Sequence, residues 1–387
     1  MRVLQLHNLY REPGGEDKVV ADEARALAKH GHEVRLWSVD NKDLSGAWST
    51  LKTAWQAPYS RAARDQVAGE IAAFAPDIVH VHNFFPLLTP SVYDACRDRS
   101  VAVVQTLHNY RTICAGALLM RDGAPCEDCI GASPYQGALH GCYRNSRVAS
   151  LAVSRMIAIH LKRGTWHTHV DRFIAFTDFA KAKFVAGGLP ADKIAVKPNF
   201  VDAPASAAQS GSGNAALYVG RLSAEKGIAT LLAAWRDLDV PLRLAGDGPL
   251  RDWARDTAPL SVTLLGHLSP EALAQERHAA AFCVMPTEWY EPFGLVTVEA
   301  FASSRPVIAS RRGANTELVE DGVTGLHFTP GDSHDLADKV RWASAHPEDM
   351  RRMGENARRV YEEKYTPDIG IEKLIAVYEA AIANRRI

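Results

Sequence analysis

Two glutamates stand eight residues apart in Glu291-Pro292-Phe293-Gly294-Leu295-Val296-Thr297-Val298-Glu299, where a loop turns into a helix. About seventy residues upstream, a short apolar strand runs into Gly220-Arg221-Leu222-Ser223-Ala224-Glu225-Lys226-Gly227. Arg221 can fork across phosphate oxygens and Lys226 can add a point charge. Gly294 opens the next helix, whose N-terminus adds backbone donors and a positive dipole end. The glutamates would repel phosphate, so they suit sugar hydroxyls, Glu291 the sugar ring and Glu299 the ribose. A diphosphate flanked by two sugars needs that inventory. Departure of a nucleoside diphosphate places negative charge where the cations stand, and such preorganised donors are worth roughly 3–4 kcal/mol each.

These residues need strand ends to carry them. Short apolar runs alternate with amphipathic ones. Strands are expected at Arg2–His7, Glu33–Val39, Pro76–His82, Val101–Leu107 and Arg172–Thr177, with helices at Lys18–His30 and Arg64–Phe74. The pattern restarts after Asn214, with strands at Ala216–Val219, Leu242–Ala245, Val262–Leu265, Phe282–Met285 and Pro306–Ala309. Alternation of this kind implies α/β architecture with two doubly wound parallel sheets. Asp202–Asn214, rich in Ala, Ser and Gly, reads as the linker. The expected domains are residues 1–200 on the acceptor side, with a Cys-rich loop at 110–145, then 201–368 for the donor, then a closing helix in 369–387. Ligands in such sheets bind beyond the carboxyl ends of the strands, so the two sets of strand ends are expected to face one cleft.

Lys plus Arg number 44 and Asp plus Glu 45, a balance that gives no reason to expect nucleic acid as a partner. No run of 18 apolar residues suggests a membrane span, and Met1–Leu6 reads as a strand instead of a signal peptide. The expected location is the cytoplasm, at the inner face of the plasma membrane if the acceptor is lipid-linked.

Taken together, the two motifs look like the signatures of the retaining GT-B glycosyltransferases of family 4. Val196–Asp202 is similar to that family's hinge, and Ala245-Gly246-Asp247-Gly248-Pro249 to its turn after the second strand of the donor domain. The resemblance implies that Arg221 and Lys226 bind the diphosphate, Glu291 the sugar hydroxyls and Glu299 the ribose. It further implies that the backbone of Phe293, Gly294 and Leu295 lines the sugar and phosphates, that Gly14 and Gly15 bring amides to the phosphates, and that His108 stands near the reacting sugar. The final helix is expected to cross back to the first domain. Where many relatives carry Asn-Gly at the hinge, this chain has Asn199-Phe200.

Retention without an obvious enzymic nucleophile suggests attack on the face the diphosphate leaves, with a phosphate oxygen taking the acceptor's proton. Glu291 as a covalent nucleophile is the less favoured route. Asp237-Leu238-Asp239 has the spelling of a metal-binding Asp-x-Asp, but it lies in a polar helix-to-strand connection. Transfer is therefore expected to need no metal and to survive EDTA. Cys114, Cys126, Cys129 and Cys142 fall in a Gly- and Pro-rich stretch, with CxxC spacing at its centre. They read as a structural zinc site, or as free thiols, or as a disulfide formed on oxidation. Cys96 and Cys283 read as buried thiols.

Trp48, Leu51, Lys52, Trp55, Tyr59, Arg61 and Arg64 mix aromatic with basic residues, and Arg147–Lys162 is an amphipathic helix with basic ends. Such faces either pack inside the first domain or lie on an anionic membrane. The expected reaction is transfer of a hexose from a UDP- or GDP-sugar to a saccharide, possession of a polyprenyl link being an option for the acceptor, in surface polysaccharide synthesis. Alternatives are a nucleotide-sugar 2-epimerase on the same scaffold and a non-catalytic, zinc-stabilised sugar-binding protein.

Overall fold

The computed structural model describes residues 1–10, 14–41, 47–202 and 213–385. Ala203–Ser212, most of the expected linker, lies outside them. The chain forms two compact units, one of residues 1–119, 126–198 and 370–387, the other of residues 120–125 and 199–369.

The first unit is built on strands β1 (Arg2–Leu9), β2 (Glu33–Asp40), β3 (Ile78–Asn83) and β4 (Ala102–Thr106). Next in chain order comes a two-stranded antiparallel hairpin that counts with the second unit, β5 (Met120–Arg121) with β6 (Ala124–Pro125), and then the first unit's β7 (Arg172–Ala175) and β8 (Ile194–Val196). The six-stranded sheet has the order β2-β1-β3-β4-β7-β8 and every pairing in it is parallel. β3 and β4 are buried throughout, as a sheet covered on both faces requires.

The second unit carries β9 (Ala215–Val219), β10 (Leu242–Ala245), β11 (Val262–Gly266), β12 (Ala280–Met285), β13 (Val307–Ser310) and β14 (Gly325–Phe328). They form a parallel sheet in the order β11-β10-β9-β12-β13-β14. Its core gathers Ile228, Leu231 and Trp235 from the first helix against Leu244, Phe282 and Val284 of the sheet.

Some boundaries differ from the sequence reading. The first helix runs Gly15–Lys29, three residues ahead of the expected start, because the Asp17 carboxylate accepts the Gly14 amide at 2.8 Å and closes the N-terminus. The helix expected from Arg64 begins at Arg61 because Ser60 caps it through the Ala63 amide, and a helix not foreseen, Ala47–Gln56, precedes it. β8 and β14, three and four residues long, were not anticipated. The last helix, Pro367–Arg385, lies mostly in the first unit: the Tyr378 hydroxyl is 2.7 Å from His80 Nδ1.

Candidate active site

In the second unit the two motifs meet. Both lie after carboxyl ends of adjacent strands, β9 and β12. The Lys226 ammonium forms an ion pair with Glu291 Oε2, to which Trp289 Nε1 also donates at 3.0 Å. The ammonium lies 5.3 Å from the centre of the Trp289 ring. Glu291 is buried and the Lys226 side chain is 22% exposed, so the pair is not fully enclosed. Arg221 is exposed, and its backbone oxygen accepts the Tyr218 hydroxyl at 2.9 Å.

Close backbone approach explains the glycines. A Cβ on Gly246 would stand 1.8 Å from the Gly220 oxygen, and one on Gly227 would stand 1.9 Å from the Pro286 oxygen. Gly294 caps the Leu295–Ala302 helix with φ +90°, a left-handed conformation that favours glycine. Beside that cap, Thr297 Oγ1 and Asn315 Oδ1 are buried without a hydrogen-bond partner, two polar atoms that sequence reasoning missed. Phe293 is buried and Leu295 half-buried. Glu299 pairs with Arg277 at 2.6 Å, a partner not foreseen.

The first unit holds His108 just past β4, half-buried. Its Nε2 lies 3.1 Å from His82 Nδ1. Behind them Glu23, Lys197, His80 and Gln5 form a buried polar cluster in which Lys197 and Glu23 are ion-paired. Burial holds the imidazoles of His80, His82 and His108 well below the usual range, and neighbouring positive groups add to the effect. Glu23, His80 and His82 place ligand atoms within 4.8 Å of one another. Yet the Lys197 ammonium already sits on Glu23, and both nitrogens of His80 lie 2.7 Å from hydroxyls, of Tyr378 and Thr106. These bonds occupy both His80 nitrogens and Glu23 Oε1 and hold the group as a hydrogen-bonded cluster, in which Glu23 Oε2 stays without a donor. Lys197 carried no signal beyond its place in the hinge-like segment.

Gly14 and Gly15 open the first helix, and a Cβ at either would meet nothing within 4 Å. Their lack of side chains answers no steric demand from the described residues. Next to them Glu16 accepts the Tyr10 hydroxyl at 2.9 Å, and burial pushes its carboxyl up to about 8.

Two family models cover the chain in succession, "Glycosyltransferase Family 4" over residues 13–203 and "Glycosyl transferases group 1" over residues 203–360. The chain belongs to the family 4 glycosyltransferases. This family 4 member is 36% identical over 181 residues to a glycogen synthase of Mycobacterium tuberculosis, across 43% of this chain and 44% of that one. It is 32% identical over 173 residues to an uncharacterized glycosyltransferase of Methanocaldococcus jannaschii, across 44% and 49% of the two chains. The chain thus spans about half the length, or less, of the curated relatives it matches. Its fold matches a sucrose-phosphate synthase from Thermosynechococcus elongatus with TM-score 0.74 at 21% identity, over 99% of each chain. It also matches HepE of Anabaena, solved with UDP, with TM-score 0.67 at 18% identity, over 98% and 100%. These likenesses show the GT-B fold.

Other sequence expectations for this family 4 member find their places. Asp237 and Asp239 are exposed and precede β10, at the end of the sheet opposite the glycine-bearing turns. Cys96 and Cys283 are buried, and burial pushes both thiols up, Cys283 to about 11. Cys114, Cys126 and Cys142 all act electrostatically on Cys129, which burial and their charge raise to about 11. Among the described residues no three thiols lie within 4.8 Å of one another. The basic helix runs Arg147–Arg163 and leaves Val148 75% and Leu151 49% exposed. Arg155 lies over the Trp55 ring at 4.7 Å, and Trp55 is itself exposed. The side chains of Trp48 and Leu51 lie outside the described residues. Among the described residues no helix is long and apolar enough to cross a membrane.

Proposed function

We propose that the protein is a retaining hexosyltransferase that takes a nucleoside-diphosphate sugar, UDP- or GDP-linked, and glycosylates a saccharide in surface polysaccharide synthesis. The observation that carries the reading is the Lys226–Glu291 pair, which joins the two donor motifs beside a helix N-terminus. Arg221 and Lys226 hold the diphosphate, and Glu291 orders the sugar hydroxyls. Glu299 takes the ribose, while His108 stands at the reacting sugar. Gly15 contributes its amide, and Gly14 does so where the phosphate displaces the Asp17 carboxylate. Positive charge grows on the anomeric carbon as the C–O bond to phosphate breaks. The cations stabilise the leaving diphosphate, whose oxygen accepts the proton of the attacking hydroxyl. Transfer proceeds without a metal, since the cations supply that charge.

Screening UDP-, GDP-, ADP- and TDP-sugars by thermal shift tests the donor. A ligand at one hundred times its Kd stabilises by about 2.7 kcal/mol. No shift with any of them removes the reading. Turnover of donor without acceptor would instead favour epimerisation, and loss of transfer in EDTA with recovery in Mg²⁺ would overturn metal independence.

The acceptor proposed is lipid-linked, of the polyprenyl-diphosphate class. The support is the exposure of Trp55, Val148 and Leu151 on and beside a helix that also carries Arg147, Arg155 and Lys162, with Arg155 over the Trp55 ring, an apolar and basic surface suited to anionic lipid. We propose in addition that Cys114, Cys126, Cys129 and Cys142, which act electrostatically on one another at Cys129, close around a structural zinc ion. A long loop with little regular structure gains a staple in that way.

A further inference from the structure

The contact between His108 Nε2 and His82 Nδ1, 3.1 Å, joins two neutral rings and therefore holds one proton. Whichever nitrogen of His82 is protonated decides the tautomer of His108. The surroundings of His82 Nε2 make that choice. Glu23 Oε2 is 3.7 Å from it, and the Gln5 amide nitrogen 3.4 Å. Lys197 holds Glu23 through the other oxygen, Oε1. Glu23 Oε2 and Gln5 Oε1 are both buried with no donor.

If His82 carries its proton on Nδ1, both acceptors stay orphaned and a ring lone pair faces a carboxylate. Each orphan costs about 1–3 kcal/mol, and a charged one more. With the proton on Nε2, the N–H nitrogen lies 3.7 Å from the carboxylate oxygen, an electrostatic attraction longer than a hydrogen bond. The amide of Gln5, whose two ends are assigned by inference, then turns its oxygen to the same N–H. His80 offers no substitute, because Tyr378 and Thr106 take its two nitrogens. The other groups facing the pair are His7 from β1, whose ring centre is 6.3 Å from that of His82, and Phe176, 5.3 Å from that of His108.

We propose that the buried Glu23–Lys197 pair, acting through His82, fixes His108 as the Nε2–H tautomer, so that His108 offers an unprotonated Nδ1 to a sugar hydroxyl. His82 is thus a positioning residue, and His108 receives a hydrogen bond instead of giving one. The functional half of this statement rests on the place given to His108 above; the tautomer does not.

Long-range ¹⁵N–¹H spectra of the full chain, labelled at histidine and assigned with H108N, test it directly. The expected result between about pH 6 and 8 is a neutral His108 with a protonated Nε2 and a bare Nδ1. A protonated Nδ1 or an imidazolium overturns the proposal. In kinetics, H82Q is expected to lower kcat roughly 10–100-fold, the range for partners that orient a functional imidazole, with donor KM changed less than about twofold. An acid limb near about pH 6.5 should appear as His108 is released to titrate. A purely structural role would lower Tm and leave the pH profile unchanged, which also overturns it. If H108A transfers at the wild-type rate, the placement of His108 falls. If H108A is inactive while H82Q keeps rate and profile, only the inference about His82 falls.

Discussion

The Lys226–Glu291 pair makes a prediction in which two halves of one interaction respond with opposite sign. In the free protein the ammonium is neutralised by the carboxylate, with Trp289 as the carboxylate's second donor. A diphosphate must compete for Lys226 against Glu291. Replacing Lys226 by Ala removes a charge-assisted contact worth about 1.5–3 kcal/mol, so the Kd of the bare nucleoside diphosphate should rise roughly 10–150-fold. Fold stability should fall less. A fully buried pair that loses one partner costs about 3–5 kcal/mol. Here the lysine is 22% exposed and Trp289 remains, which points to about 1–2 kcal/mol. Replacing Glu291 by Gln releases Lys226 from competition, so the bare diphosphate should bind as well as before or better. Turnover of the sugar donor should nevertheless fall about 10²–10³-fold, because the sugar loses its charged acceptor. Calorimetry with the nucleoside diphosphate and initial rates with the full donor separate the two. If K226A and E291Q weaken the bare diphosphate equally, the pair is only a structural strut and the division of labour is refuted.

The close contact at Gly246 predicts that G246A destabilises the second unit by at least about 2 kcal/mol, read as a drop in Tm, because a Cβ would collide with the Gly220 oxygen; an unchanged Tm would contradict the packing. Glu16, raised from 4.5 to about 8, holds a proton in the folded state that the unfolded chain releases, so its contribution favours folding at low pH and is lost as pH rises from about 4.5 to 8. E16Q should therefore gain Tm over wild type progressively across that window, and a constant difference would show that the carboxyl is not held neutral. Protein purified without chelator should carry about one equivalent of zinc that C129S loses; less than about a tenth of an equivalent removes the proposed site. Flotation with anionic vesicles at low salt should carry the wild type, and V148E with L151E should lose it; no binding by the wild type would retire the membrane face.

Much of the architecture was readable because it rests on local alternation. Apolar runs such as Ile78–Asn83 and Val262–Gly266 bounded by turn residues announced strands, and their repetition announced two parallel sheets. The donor motifs were readable because their chemistry is carried within a few consecutive residues at strand ends. The short edges β8 and β14 left too few residues for a period to show. Helix starts were displaced by caps at Gly14 and Ser60, whose effect depends on a side-chain bond and not on hydrophobic spacing.

Residue order alone determined the family signatures, the two-sheet architecture and the kinds of groups available to a diphosphate and its sugars. It did so because strand periodicity and motif spacing are short-range properties. Only the tertiary structure decided which groups partner which. Glu23 meets Lys197 across 174 residues, His80 meets Tyr378 across 298, and Glu299 meets Arg277 on a neighbouring helix. A charge removed from water must find its partner wherever the fold brings one, and no local pattern records that choice.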